Sequence, residues 1–292
     1  MQKWILLILL SPLGSLFAQP HAVFVIGTPH YNPGSTMPPL AKQLERFGFR
    51  TTVVLPEGNP EKNPKGIPGL EALREADVAI FFLRFLTLPE EQLQHIRDYV
   101  EAGKPVVGFR TSTHAFRYPQ GHPLEKWNNG FGRDVLGTAY SLHLAGQTEV
   151  RVAPGAKGHP VLAGYDQGDP VIDPGTLYLS DIPADATVLL RGTGKSKKNG
   201  EVKNMFGTFQ VEPVMTDDVV WLWKNAWGGR VFSSSIGHAG SFANPRFVRL
   251  FINGIHWAAG EAIPPADARV EGIPAPAREK GPKKRGEKPP RK

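Results

Sequence analysis

Residues 104–116 read KPVVGFRTSTHAF. Pro105, Val106 and Val107 form a short apolar run of the kind buried on both faces in a parallel sheet. Gly108 loosens its end, and a polar cluster follows (Arg110, Thr111, Ser112, Thr113, His114) before chain that reads as helical. In an open α/β sheet, ligands settle just beyond the carboxyl ends of the strands. A strand-to-helix turn also points free backbone N–H groups at that space. Here it adds a permanent cation, hydroxyls and an imidazole, a composition suited to an anion or a polyol. The plainer alternative is that Arg110 and His114 only satisfy loop carbonyls.

Toward the N-terminus, three more apolar runs have the same character: AVFVIG (22–27), TTVVL (51–55) and DVAIFFL (77–83), the last running into Arg84. Thr36 is placed to cap a helix with Leu40, Leu44 and Phe47 on one face and Gly48 as its stop. A short helix is expected around 70–75. Pro89 opens another, in which Leu93, Ile96 and Val100 share a face and Gly103 ends it. Four continuous apolar strands alternating with three helices predict a parallel sheet covered on both faces.

Toward the C-terminus the pattern changes. Residues 118–218 begin loop-rich, with WNNGFGRDVLG, and continue as short β-like runs at 149–153, 171–179, 187–191 and 205–211. Such spacing predicts an antiparallel extension of the sheet. The segment GTGKSKKNGE (192–201) lacks the second glycine of a phosphate loop and reads as an exposed hairpin tip. Strands at 219–223 and 230–235 lead to IGHAG (236–240), a histidine framed by glycines at a strand end. Asn244 and Pro245 then mark a helix start. Its buried face is Phe247, Leu250, Phe251, Ile255 and Ala258, and Gly260 ends it. The folded body is expected to span 19–262.

Composition narrows the chemistry. The 292 residues are 40% hydrophobic, enough for a sizeable core, and contain no cysteine. That excludes a disulfide scaffold, a thiolate nucleophile and thiolate metal sites. Residues 1–18, with Lys3, WILLILL and Ala18, read as a secretory signal peptide whose apolar run is too short to span a bilayer. A secreted or periplasmic protein without a membrane anchor is therefore expected. The net charge of +7 is local: residues 278–292 hold eight Lys/Arg against two Glu, and Lys3 lies in the leader, which leaves 19–277 neutral. A neutral body has no general attraction for a phosphate backbone, so no specific nucleic-acid partner is expected. Residues 263–292 read as a disordered basic tail rich in Pro and Lys.

Arg84, Arg110, His114 and His238 all fall at or just past predicted strand ends, and one sheet edge would gather them. Arg84 and Arg110 are the candidate substrate-binding residues. They would also hold neighbouring histidines neutral. His114 and His238 are the candidate acid/base groups, and Ser112 is a candidate nucleophile if an imidazole lies within reach. His114, His143 and His238 form a competing set, since three imidazoles can hold a zinc ion, but they lack tight local spacing. His143, in an apolar run, reads more simply as a buried histidine. Neither metal nor cofactor is assigned.

Four stretches carry a family likeness: GKPVVGFRTSTHAF (103–116), WNNGFGRDVLGTAYSLH (127–143), GHPVLAG (158–164) and GRVFSSSIGHAGSFANPRFVRLFINGIHWAAG (229–260). In this order they resemble the ThuA-like (trehalose-utilisation) proteins over most of residues 20–260. The resemblance implies a flavodoxin-like, class I glutamine amidotransferase-like α/β fold. In those amidotransferases the strand–turn elbow carries a nucleophilic cysteine activated by a downstream histidine. Here Arg110 holds the elbow and His238 matches the histidine by place, so glutamine hydrolysis through a thioester is excluded. The resemblance also implies a small-molecule ligand, a sugar or keto-sugar. Two functions stay open: a carbohydrate-processing protein, and a non-catalytic binding module on the same scaffold. A carboxylate opposite His238 would favour the enzyme.

Overall fold

The computed structural model describes residues 18–62, 66–165, 168 and 170–276. The expected signal peptide, save its last residue, and the basic stretch 278–292 lie outside the described residues. The N-terminal half alternates as expected: β1 (His21–Gly27), α1 (Pro33–Glu45), β2 (Arg50–Val54), a 3-10 turn (Leu70–Glu75), β3 (Val78–Leu83), α2 (Glu90–Glu101) and β4 (Val106–Phe109). A 3-10 turn (Arg110–His114) follows β4 where helix was expected, and a short helix, α3 (Trp127–Gly130), widens into a π turn (Phe131–Leu136). Then come β5 (Ala145–Val152), β6 (Val171–Asp173), β7 (Thr187–Lys195), β8 (Gly200–Asn204), β9 (Gly207–Val211), β10 (Val214–Lys224), β11 (Arg230–Ser234) and α4 (Pro245–Ala259).

Nine strands form one sheet in the order β2-β1-β3-β4-β11-β10-β7-β5-β6, and β8 and β9 form a separate hairpin. The five strands from β2 to β11 run parallel. From β11 outward every pairing is antiparallel. The protein is thus an α/β fold with a parallel half and an antiparallel extension. Alternate residues of β1 explain its unbroken apolarity. Phe24 and Ile26 join the core under α1 and α4, whereas Val23 and Val25 join the core under α2. Burying two faces requires apolar residues at every position.

Local chemistry accounts for the ends of α4. The Asn244 side chain accepts from Arg246 N–H, Pro245 takes the first helical position, and Gly260 closes the helix at φ 82°. Elsewhere the expectations need correction. Thr36 is buried inside α1 and does not cap it; the helix starts from Asn32, left-handed at φ 53°. The run at 171–179 is strand only to Asp173. The GTGK sequence belongs to β7 and is not a hairpin tip, because a Cβ at Gly192 would lie 2.6 Å from Thr148 Cγ2 and 2.7 Å from Val219 Cγ1. Only small residues let those side chains cross the strand.

The body also does not end at 262. Residues 263–276 return across the α1–α4 face. Ile273 is buried and its N–H donates to Phe242 O at 2.7 Å. The Gln43 amide brackets Glu271, donating to its carbonyl at 2.8 Å and accepting from its N–H at 3.0 Å. Ile273, with Ile263 and Val270 packed against the same core, and these hydrogen bonds dock a strap that has no periodicity to announce it.

Candidate functional site

The chain after β4 turns sharply at Arg110, whose φ of 39° places a long side chain in the left-handed region. Every non-glycine residue with positive φ among the described residues lies around this edge: Tyr31 and Asn32 after β1, Phe85 after β3, and Arg110 after β4. Such conformations cost of order 1–3 kcal/mol each and persist where the surroundings enforce them.

Arg110 is 1% exposed, so a candidate substrate-binding residue is enclosed by the protein. Its guanidinium lies between two phenol rings, 4.3 Å from the centre of Tyr31 and 4.7 Å from that of Tyr178. Nη1 donates to Ser235 O at 2.6 Å, and Nη2 to Tyr31 Oη at 3.3 Å and Thr176 Oγ1 at 3.3 Å. Asp173 Oδ2 stands 3.9 Å away, also buried. Burial works against the arginine's charge, but Tyr178, Tyr31 and Asp173 outweigh it. Burial drives Asp173 upward, opposed by Arg110, the Ser241 hydroxyl and the Gly175 N–H. Burial raises the Tyr31 phenol too, yet the Arg110 charge and the bonds from Arg110, Tyr178 and Thr176 bring it below its ordinary value.

His238 joins this cluster. A Cβ on Gly175 would sit 2.6 Å from Arg110 Nη1, 2.7 Å from Asp173 Oδ2 and 3.1 Å from His238 Cβ, so Gly175 is the space around which the three meet. His238 Nδ1 accepts from Gly240 N–H at 3.1 Å, and the ring stands edge-on to Tyr31 at 5.5 Å. A neutral imidazole accepting at Nδ1 carries its proton on Nε2. Asp173 is the carboxylate beside His238.

His114 lies one turn beyond Arg110, in an aromatic box of Tyr140 (4.3 Å), Phe85 (5.0 Å), Phe206 (6.0 Å) and Tyr178 (6.4 Å). Burial foremost, then the charges of Arg84 and its neighbours, bring it down to about 3. The imidazole is neutral at any working pH, so His114 does not supply the titrating acid/base group expected of it. Two further histidines enlarge the site. His30 and His143 are both lowered, first by desolvation within the cluster and then chiefly by Arg84 and Arg110. His143 is exposed, not buried as its sequence context suggested, and its Nδ1 meets Tyr140 Oη at 2.5 Å.

The other two candidates have local partners. Arg84 donates to Glu61 at 2.5 Å and covers the Phe85 ring at 4.4 Å. Ser112 is fully buried. Its Oγ donates to Phe81 O at 2.9 Å and accepts from Leu83 N–H at 3.0 Å. A hydroxyl so committed braces β3 against the elbow and is not presented to a substrate, which corrects its reading as a nucleophile. Among the described residues no group of three His, Asp or Glu side chains is placed to hold a metal ion, so the three-histidine alternative lacks its geometry.

Tyr31, Asp173 and Tyr178 were not legible as site residues. Tyr31 lies in a turn-rich loop, and Asp173 and Tyr178 lie within the run 171–179, which reads as plain strand. The only hint is PHYNPG (29–34), an aromatic pair between prolines directly after an apolar strand.

The fold has counterparts among solved structures. No curated protein sequence matches the chain. Among solved structures it is similar to a ThuA-like protein of Parabacteroides merdae ATCC 43184, with 15% identity, 84% of this chain and 92% of that one covered, and a TM-score of 0.52. A ThuA-like protein of Bacteroides uniformis ATCC 8492 is similar at 15% identity, with 82% and 91% covered and a TM-score of 0.51. At such identity the likeness speaks for the fold alone. The family described as ThuA, trehalose utilisation, matches residues 35–258. The chain belongs to the ThuA family.

Proposed function

We propose that this protein binds a sugar or keto-sugar in the crevice at the carboxyl edge of the parallel strands and acts on it by acid–base chemistry. Membership of a trehalose-utilisation family supports the carbohydrate role. The observation that carries the reading is the grouping of every non-glycine left-handed residue at this edge, where Tyr31, Phe85 and Arg110 meet neutral imidazoles. Aromatic rings offer flat apolar surfaces to the C–H faces of a sugar, and neutral imidazoles both donate to and accept from hydroxyls.

In this reading Arg110 does not touch the ligand. Its buried charge holds Tyr31 and Tyr178 in place and lowers the Tyr31 phenol toward proton exchange. His238, with Asp173 beside it, is the acid/base candidate of this reading. Arg84, held by Glu61, flanks the mouth. A second reading, a binding module without turnover, is favoured by Arg110 filling the elbow and by the committed Ser112 hydroxyl. Export through the N-terminal leader is part of the proposal; among the described residues no helix is long and apolar enough to cross a membrane.

Calorimetric titration with glucose, trehalose and their keto derivatives, followed by product analysis, tests the reading. The expected result is saturable binding, weakened at least tenfold by Tyr31→Ala, with turnover that His238→Ala lowers more than affinity. Binding without turnover would select the second reading. Absence of any sugar binding would overturn both.

A further inference from the structure

A cavity of about 450 Å³ lies under the β8–β9 hairpin. We propose that it receives the apolar aglycone of a glycoside whose sugar ring sits in the crevice; this rests on the sugar reading above.

Two observations place the cavity in line with the crevice. Tyr140 and Phe206 line the cavity and also surround His114, one turn beyond Arg110. Tyr140 packs against His114 at 4.3 Å and against Phe206 at 4.8 Å, so the box around His114 is also a wall of the cavity. The hairpin is anchored over this wall, with Asn204 Nδ2 donating to Ser141 O at 2.9 Å and Phe206 stacked on Phe85 at 6.3 Å.

The lining selects the chemistry of the occupant. Leu142, Leu144, Val202 and Val211 make the walls, and Met205 stands at the hairpin tip, 63% exposed. An exposed methionine beside an apolar cavity is an adaptable surface for an apolar partner. The charged lining residues, Lys197 and Lys198, are both exposed. A second sugar ring would bring hydroxyls against the buried leucines and Val211, where they would lose water without gaining partners. An alkyl or aryl group loses nothing there.

Methyl, butyl and octyl glucosides, kept below micellar concentration, give the test when titrated by calorimetry beside trehalose. Affinity is expected to rise about fourfold per methylene as the first few are buried, and trehalose is expected to bind no more tightly than methyl glucoside. Val202→Asp, on the hairpin and outside the sugar-binding machinery, should erase at least tenfold of the octyl advantage and leave methyl glucoside affinity unchanged. Equal affinity across the series, or trehalose outbinding the octyl glucoside, overturns the aglycone subsite while the sugar reading stands. Failure of every glucoside and of trehalose to bind overturns both. An octyl advantage untouched by Val202→Asp overturns the placement under the hairpin.

Discussion

The two edges of the parallel sheet are built from the same strands and solve opposite problems. At the amino edge the polar groups around the starts of β1 and β4 have ordinary partners. His21 N–H donates to Asp77 at 2.7 Å, its ring meets Thr52 Oγ1 at 2.8 Å, and Lys104 Nζ donates to the carbonyls of Arg74 and Ala76 at 2.9 and 3.1 Å. The sharp turn there uses Gly103, which adopts φ 70° without strain. At the carboxyl edge, Tyr31, Phe85 and Arg110 take left-handed conformations, and a charged guanidinium is enclosed with its Nε unpartnered. One edge is optimised for stability. The other keeps strain and buried charge, as binding sites do.

The largest expected break in this contrast comes from removing the buried charge. Arg110→Met strips Asp173 of its countercharge and should cost about 3 kcal/mol or more in urea unfolding, with part recovered by adding Asp173→Asn. At the amino edge, Lys104→Met should cost only about 1 kcal/mol. Equal losses would erase the distinction between the edges.

A pH series sharpens it. His114 is depressed to about 3 and His256, in the last turn of α4, to about 4, against an ordinary value of 6.5. Below 6.5 the unfolded chain takes up protons that the folded chain refuses. Stability is therefore full above 6.5 and falls as the pH drops toward 3, by up to about 1.4 kcal/mol per pH unit for each such histidine. His114→Phe should remove its share of that slope between pH 6.5 and 3. An unchanged slope would mean that the aromatic box admits the imidazolium.

The smallest effect tests the terminal strap. Gln43→Ala removes both bonds to Glu271 and should lower stability by about 1 kcal/mol, read as a shift in the unfolding midpoint. No shift would leave residues 263–276 lying on the body without contributing to it.

The parallel half was legible because burial on two faces writes itself as runs such as AVFVIG and DVAIFFL, and because α4 carries its own punctuation in Asn244, Pro245 and Gly260. The expectation that Arg110 and His238 share an edge rested on the family likeness as well as on those runs. The rest of the site was not legible, for a physical reason. Asp173, Thr176 and Tyr178 come from the antiparallel extension, whose loops reach the parallel edge through tertiary packing that leaves no local pattern. Arginine is also almost never fully buried, so its composition points outward although two tyrosines and a carboxylate have enclosed it. The strap marks the same limit, as Ile263, Val270 and Ile273 fall at no regular period.

The position of β11 sets the order in which this protein can mature. It lies between β4 and β10, yet it is made after both, near the end of the chain. Until it arrives, the two halves of the sheet each present an open edge strand, with unpaired backbone groups ready to recruit another chain. Arg110 also waits for Ser235, which follows β11, before its guanidinium has its shortest bond. Insertion of a late central strand has a high loop-closure cost and is slow. Synthesis that stops before residue 230 therefore leaves two sticky half-sheets and no crevice, and the site forms at the moment the sheet is zipped shut.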